Sequence, residues 1–144
     1  MGLDVSVFSD DIKFVSIGRL SKEMVKFIIK KKPTFEGRIS PDTDILFWAA
    51  RVKHTERHKK DFCSDEEYEM CLREIPQIIQ NPDYISIHPA DESVSFIKDY
   101  SKHTSVAIKI STDGKMVYRT MYPLTESQLQ NYIGNNRAWK LGKT

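Results

Sequence analysis

Between Tyr84 and Tyr122 apolar residues recur at alternate positions, and nothing else in the chain restricts its fold as much. Tyr84, Ile85 and Ile87 make one run, stopped by Pro89. Val94, Phe96, Ile97 and Tyr100 make a second, Val106, Ile108 and Ile110 a third, and Met116 to Tyr122 a fourth that Pro123 ends. A period of two belongs to strands, whose successive side chains face opposite sides. Thr112-Asp113-Gly114 lies between the third and fourth runs, and Asp-Gly suits the left-handed backbone of a tight hairpin. Four such runs predict an antiparallel meander.

The first half reads mostly as helix. Ser21 caps a run carrying Val25, Phe27, Ile28 and Ile29. Lys30 to Lys32 suit its last turn, where the helix dipole favours cations, and Pro33 ends it. Lys13 to Ile17 suggests a short strand closed by Gly18. Ile45 to Trp48 fits either a strand or the first turn of a helix over Ala49 to Lys60. Ser64 caps a further helix, with Asp65, Glu66 and Glu67 in its first turn. Its apolar positions Tyr68, Cys71, Leu72, Ile75, Ile78 and Ile79 keep helical spacing, and Pro76 predicts a kink or break. Thr125 caps a short helix that Gly134 ends, and the tail from Asn135 frays unless Trp139 and Leu141 dock. The fold class expected is α+β, with N-terminal helices packed on a four-stranded antiparallel sheet. The length of 144 residues fits one domain spanning 1–144.

Hydrophobic residues make up 40% and charged residues 29%, which marks a globular chain rather than a disordered one. The formal charge is only +2, so the total says nothing of nucleic acid. Its distribution says more: Lys53 to Lys60 is basic and Asp61 to Glu74 acidic, and a local basic face can steer a polyanion. Cys63 and Cys71 read as free thiols in a reducing compartment, with Cys71 in the core. No apolar run approaches the roughly 20 residues of a membrane span, and no basic-then-apolar leader is evident, so a cytoplasmic protein is expected.

Arg51-Val-Lys-His-Thr-Glu-Arg-His-Lys-Lys60 carries the chemistry. On one helix His54 and His58 share a face at i, i+4. Imidazoles titrate near working pH and can exchange protons with a ribose hydroxyl and a leaving oxygen. Lys53, Arg57, Lys59 and Lys60 surround them and could hold phosphate oxygens. The plainer reading is a solvated, charged helix face. Chelation is a third, but His-Thr-Glu-Arg-His lacks a third ligand, so no metal and no cofactor are expected. Arg119 could neutralise a pentavalent phosphorane, and Thr120 could orient the phosphate. Neighbours on a strand face opposite ways, so both line one cleft only if a bulge intervenes. Tyr122 could stack on a base, or simply pack across strands. His88 and His103 read as surface or turn residues. No P-loop, GxGxxG or GxSxG occurs, which removes support for nucleotide hydrolases, dinucleotide enzymes and esterases.

Taken in order, Arg51-Val-Lys-His-Thr-Glu-Arg-His58, Ile75-Pro-Gln-Ile-Ile-Gln-Asn-Pro-Asp-Tyr84, Val106-Ala-Ile-Lys-Ile110, Arg119-Thr-Met-Tyr-Pro123 and Asn136-Arg-Ala-Trp-Lys-Leu141 resemble the phage-associated barnase/EndoU/colicin/RelE-like nuclease-toxin domains. The resemblance covers roughly residues 45 to 141. It implies metal-independent RNA cleavage to a 2′,3′-cyclic phosphate, with tRNA one candidate substrate. It also implies a bacterial phage or mobile-element setting, delivery as a toxin, and an immunity or antitoxin protein as partner. Carried onto this chain it assigns catalysis to His54, His58, Arg119 and Thr120, and the surrounding basic and aromatic residues Lys53, Arg57, Lys59 and Tyr122 are the substrate-binding candidates. The two histidines of such domains are often one residue further apart, which leaves open which of the pair is the catalyst. A non-catalytic module that binds RNA or a protein through the same basic face is the alternative.

Overall fold

In the computed structural model, residues 2–141 are described. Seven strands form one sheet: β1 (Phe14–Ser16), β2 (Ile45–Trp48), β3 (Tyr84–Ile87), β4 (Ser93–Asp99), β5 (His103–Ile110), β6 (Met116–Leu124) and β7 (Ala138–Lys140), in the order β1-β2-β6-β5-β4-β3-β7. The helices are α1 (Lys22–Lys31), α2 (Ala50–Thr55), α3 (Asp65–Arg73), α4 (Ile75–Gln80) and α5 (Glu126–Gly134). The α+β class stands. The sheet, however, has seven strands where the alternation predicts four. The predicted meander is its centre, β3 to β6, all antiparallel neighbours.

Three short strands extend that centre. β1 pairs antiparallel with β2, and β2 pairs parallel with β6 at only Ile45–Met116 and Leu46–Val117. β7 pairs with β3, and Trp139 and Leu141 pack against the core, so the docked alternative for the tail holds through Leu141. The helices are neither wholly N-terminal nor confined to one face. α1, α3 and α4 bury Ile28, Tyr68, Cys71, Ile75 and Ile78 against Ile85, Phe96, Val106 and Ile108 on one face. α5 covers part of the other through Leu129, which packs with Ile97, Leu124 and Ala138.

Local chemistry accounts for the helix ends. The Ser21, Ser64 and Thr125 hydroxyls accept hydrogen bonds from the backbone N–H of Met24, Glu67 and Gln128. Gln128 returns the bond to the Thr125 N–H at 2.9 Å, completing a capping box. Pro76 lies in the first turn of α4, where its missing N–H costs nothing, so the predicted break falls at Glu74. Cys63 and Cys71 are both free, the latter buried. Among the described residues no helix is long and apolar enough to cross a membrane.

Gly18, at φ 125°, turns the chain out of β1. A Cβ there would lie 3.2 Å from Nε2 of Gln80, which donates to the Arg19 carbonyl at 2.8 Å. Gly18→Ala is expected to cost about 1–3 kcal/mol, because only glycine tolerates this backbone. Urea unfolding reads the loss, and an unchanged midpoint would refute it.

Candidate active site

β6 outlasts its pairing with β2. Beyond Val117 no strand among the described residues lies beside its outer edge, and α2 with the 3-10 turn that follows packs there instead. Two contacts fix this placement. The Arg51 guanidinium donates to the Arg119 carbonyl, through Nε at 2.8 Å and also through Nη2. The Thr55 hydroxyl, fully buried, donates to the Arg51 carbonyl at 2.7 Å and meets the Tyr118 hydroxyl at 2.6 Å.

A bulge, the condition for Arg119 and Thr120 to line one cleft, is present. Ala107 pairs with Thr120 and Ile108 with Tyr118, so Arg119 is the extra residue. The bulge turns Tyr118 and Met121 onto the buried face, although plain alternation would have set Tyr118 with Thr120 and Tyr122. Tyr122 instead packs at the α5 cluster. Arg119 is exposed, and its Nη1 donates to the Ser93 hydroxyl at 3.3 Å, across β5. Thr120 fits its expected role less well. Its hydroxyl oxygen is sealed from solvent and has no hydrogen-bond partner among the described residues.

The helix expected over Ala49 to Lys60 is also different. α2 ends at Thr55 and continues as a 3-10 helix over Glu56–Asp61. Tightening from 3.6 to 3.0 residues per turn rotates His58 away from His54. The two imidazoles therefore line neighbouring grooves rather than one face. His54 lies with Arg51, Lys53, Glu56 and Arg57. His58 lies with Lys60, Asp61, Lys102, Tyr122 and Gln128. Its Nδ1 is 3.4 Å from Asp61, and its ring centroid is 5.6 Å from that of Tyr122. Lys59 turns the other way, 3.6 Å from Glu69 and over the Tyr68 ring, so it leaves both grooves.

His54 is held below the ordinary imidazole pKa of 6.5. Partial desolvation contributes most, followed by the positive charges of Arg51, Arg57, His58 and Arg119. The ring is therefore neutral at pH 7 and able to accept a proton, amid cations that attract phosphate. Arg51 and Tyr118 are the site residues that sequence reasoning did not single out. Arg51 carried a signal, since it stands one turn before His54 and Thr55 on the same helix. Tyr118 carried none without knowledge of the bulge. Among the described residues no group of three or more His, Cys, Asp or Glu could hold a metal ion.

His103, expected at a surface or turn, bridges two carboxylates: Asp99 Oδ1 at 2.5 Å and Glu126 Oε1 at 3.2 Å. Burial pulls its pKa down, but the two carboxylates together raise it above the ordinary value. A raised folded-state pKa adds stability that is full below the unfolded value and fades as pH rises through the folded one. Wild type should therefore lose urea midpoint relative to His103→Gln between pH 5.5 and 8.5. Parallel midpoints across that range would contradict the bridge.

These features define a class: an α+β protein with a cationic, histidine-bearing segment laid along the free edge of a central strand. Its family follows from comparison with known proteins. Residues 23–131 match the family described as phage-Barnase-EndoU-ColicinE5/D-RelE like nuclease3, and the chain belongs to that family. The match takes in α1, upstream of the pieces that carried the resemblance, and ends within α5 before the tail. No curated protein and no solved structure matches the chain.

Proposed function

We propose that this member of a nuclease family is an endoribonuclease that needs no metal ion, with His54 as general base. The observation that carries the proposal is the placement of a proton-accepting His54 among Arg51, Arg57 and Arg119 at the bulged edge of β6. His54 takes the 2′-hydroxyl proton, and the 2′-oxygen attacks phosphorus. The bond to the 5′-oxygen breaks, and His58, from the adjoining groove, returns a proton to that oxygen. The products are a 2′,3′-cyclic phosphate and a 5′-hydroxyl. Arg119, whose charge reaches His54, offsets the charge that develops on the phosphorane, where a preorganised cation is worth most. Lys53 and Arg57 hold neighbouring phosphates, and the Tyr122 ring backs His58.

Thr120 keeps no direct contact with substrate in this scheme, and Lys59 serves α3 rather than RNA. tRNA is one candidate substrate. A toxin role in a phage or mobile element, restrained by an immunity protein, accords with the family description. The test is incubation of the purified chain with total tRNA in EDTA, with the new ends analysed. Cyclic phosphate ends that vanish in His54→Ala support the proposal. Binding without cleavage favours a non-catalytic module, and cleavage lost in EDTA favours a metal hydrolase.

A further inference from the structure

Opposite residues of paired strands share a face, which locates an uncovered part of the sheet. Phe14 pairs with Trp48, Leu46 with Val117, and Val117 with Lys109, and these side chains lie on the face that α5 covers only further along. Phe14 and Trp48 are 46% and 41% exposed, and their ring centroids are 4.7 Å apart. Large apolar rings left open side by side usually mark a binding surface.

The surroundings say what the surface would bind. Trp48 shares a groove with Arg51, Lys109, Val117, Tyr118 and Arg119, and none of these is acidic. Arg51 also lines the groove of His54, so the aromatic pair and the imidazole flank one guanidinium. An aromatic platform bordered by cations suits a planar base joined to a phosphate, because every base offers a π-face and its backbone a negative charge.

We propose that Phe14 and Trp48 form a stacking subsite for the unpaired base next to the cleaved phosphodiester, with Arg51 and Arg119 holding the phosphate between. This rests on the nuclease reading and names the strand that reading requires: single-stranded, with a splayed-out base. A paired helix hides its bases and would gain nothing from the platform.

The test uses the whole chain and a short 2′-O-methyl oligouridine, which lacks the attacking hydroxyl and so reports binding alone. Trp48→Ala should weaken binding by about tenfold, within the range for losing one stacked base. Trp48→Phe should keep most of the affinity, and Phe14→Ala should fall between. A strand of the same length without bases should bind wild type and Trp48→Ala alike. Circular dichroism checks each variant, and half-exposed side chains can change without unfolding the sheet. Equal affinity of wild type and Trp48→Ala for the oligouridine, or no binding by wild type, overturns the subsite.

Cleavage of unmodified RNA is scored separately. Its persistence alongside Trp48-independent binding removes the subsite and leaves the nuclease. Its absence alongside Trp48-dependent binding removes the nuclease and leaves a strand-binding face.

Discussion

His54→Ala is expected to lower kcat for RNA cleavage by about 10²- to 10⁴-fold, the usual contribution of a positioned general base. The fold should survive, since His54 is on the outer side of α2 while Thr55 makes the buried anchor. The more searching measurement is the pH profile. A base works only when unprotonated, so kcat/KM should climb with pH through the His54 pKa. Desolvation and four neighbouring positive charges hold that value below 6.5, so the rising limb should be centred below it. Removing one of the charges weakens the depression. Arg119→Ala or Arg57→Ala should therefore move the limb to higher pH, and added salt should do the same by screening. His58→Ala should cost less than His54→Ala, because a leaving oxygen can also take its proton from water. A limb unmoved by both arginine substitutions would show that another group is titrating.

Tyr118→Ala should produce the largest loss of stability, about 3–5 kcal/mol as for other large-to-small changes at buried aromatics. Against a total of roughly 5–15 kcal/mol, that loss brings the domain close to unfolding. The Tyr118 ring stacks on Phe47 with centroids 4.3 Å apart, and Phe47 in turn meets Phe8 at 5.9 Å. Truncation leaves a void in this stack and strips Thr55 of its 2.6 Å partner. Tyr118→Phe separates the two effects. It keeps the stack and removes only the hydroxyl, at about 1 kcal/mol for a hydrogen bond lost between neutral groups. Because that bond pins α2 to β6, the phenylalanine variant should also lose turnover through a displaced His54. An unfolding free energy for Tyr118→Ala, read from urea titration, within about 1 kcal/mol of wild type would be too small a loss for the cavity it leaves.

The parts of this protein that were legible in advance are those governed by near neighbours in the chain. Ser21, Ser64 and Thr125 cap helices because a hydroxyl reaches an N–H three residues on, a relation written in the sequence itself. Asp113-Gly114 turns a hairpin for an equally local reason, Gly114 having φ 87°. The alternation from Tyr84 to Tyr122 carried the central meander. The short strand expected within Lys13 to Ile17 is β1, and Ile45 to Trp48 takes the strand option as β2, but with three or four residues neither run could show which strand it would pair with, and β7 gave no period at all.

The candidate site divides along the same line. A basic segment with two imidazoles was plain from the order of residues, and so was the rule that Arg119 and Thr120 could share a cleft only across a bulge. The sequence alone thus determined which chemical groups are present, where helices begin and where the hairpin turns. Only the tertiary structure decided that α2 tightens after Thr55 and parts the histidines, that Thr120 is sealed away, and that Arg51 and Tyr118 bind the helix to the edge of β6. Propensity and capping act over a turn of chain, whereas burial and edge pairing depend on segments dozens of residues apart, whose meeting no local pattern records.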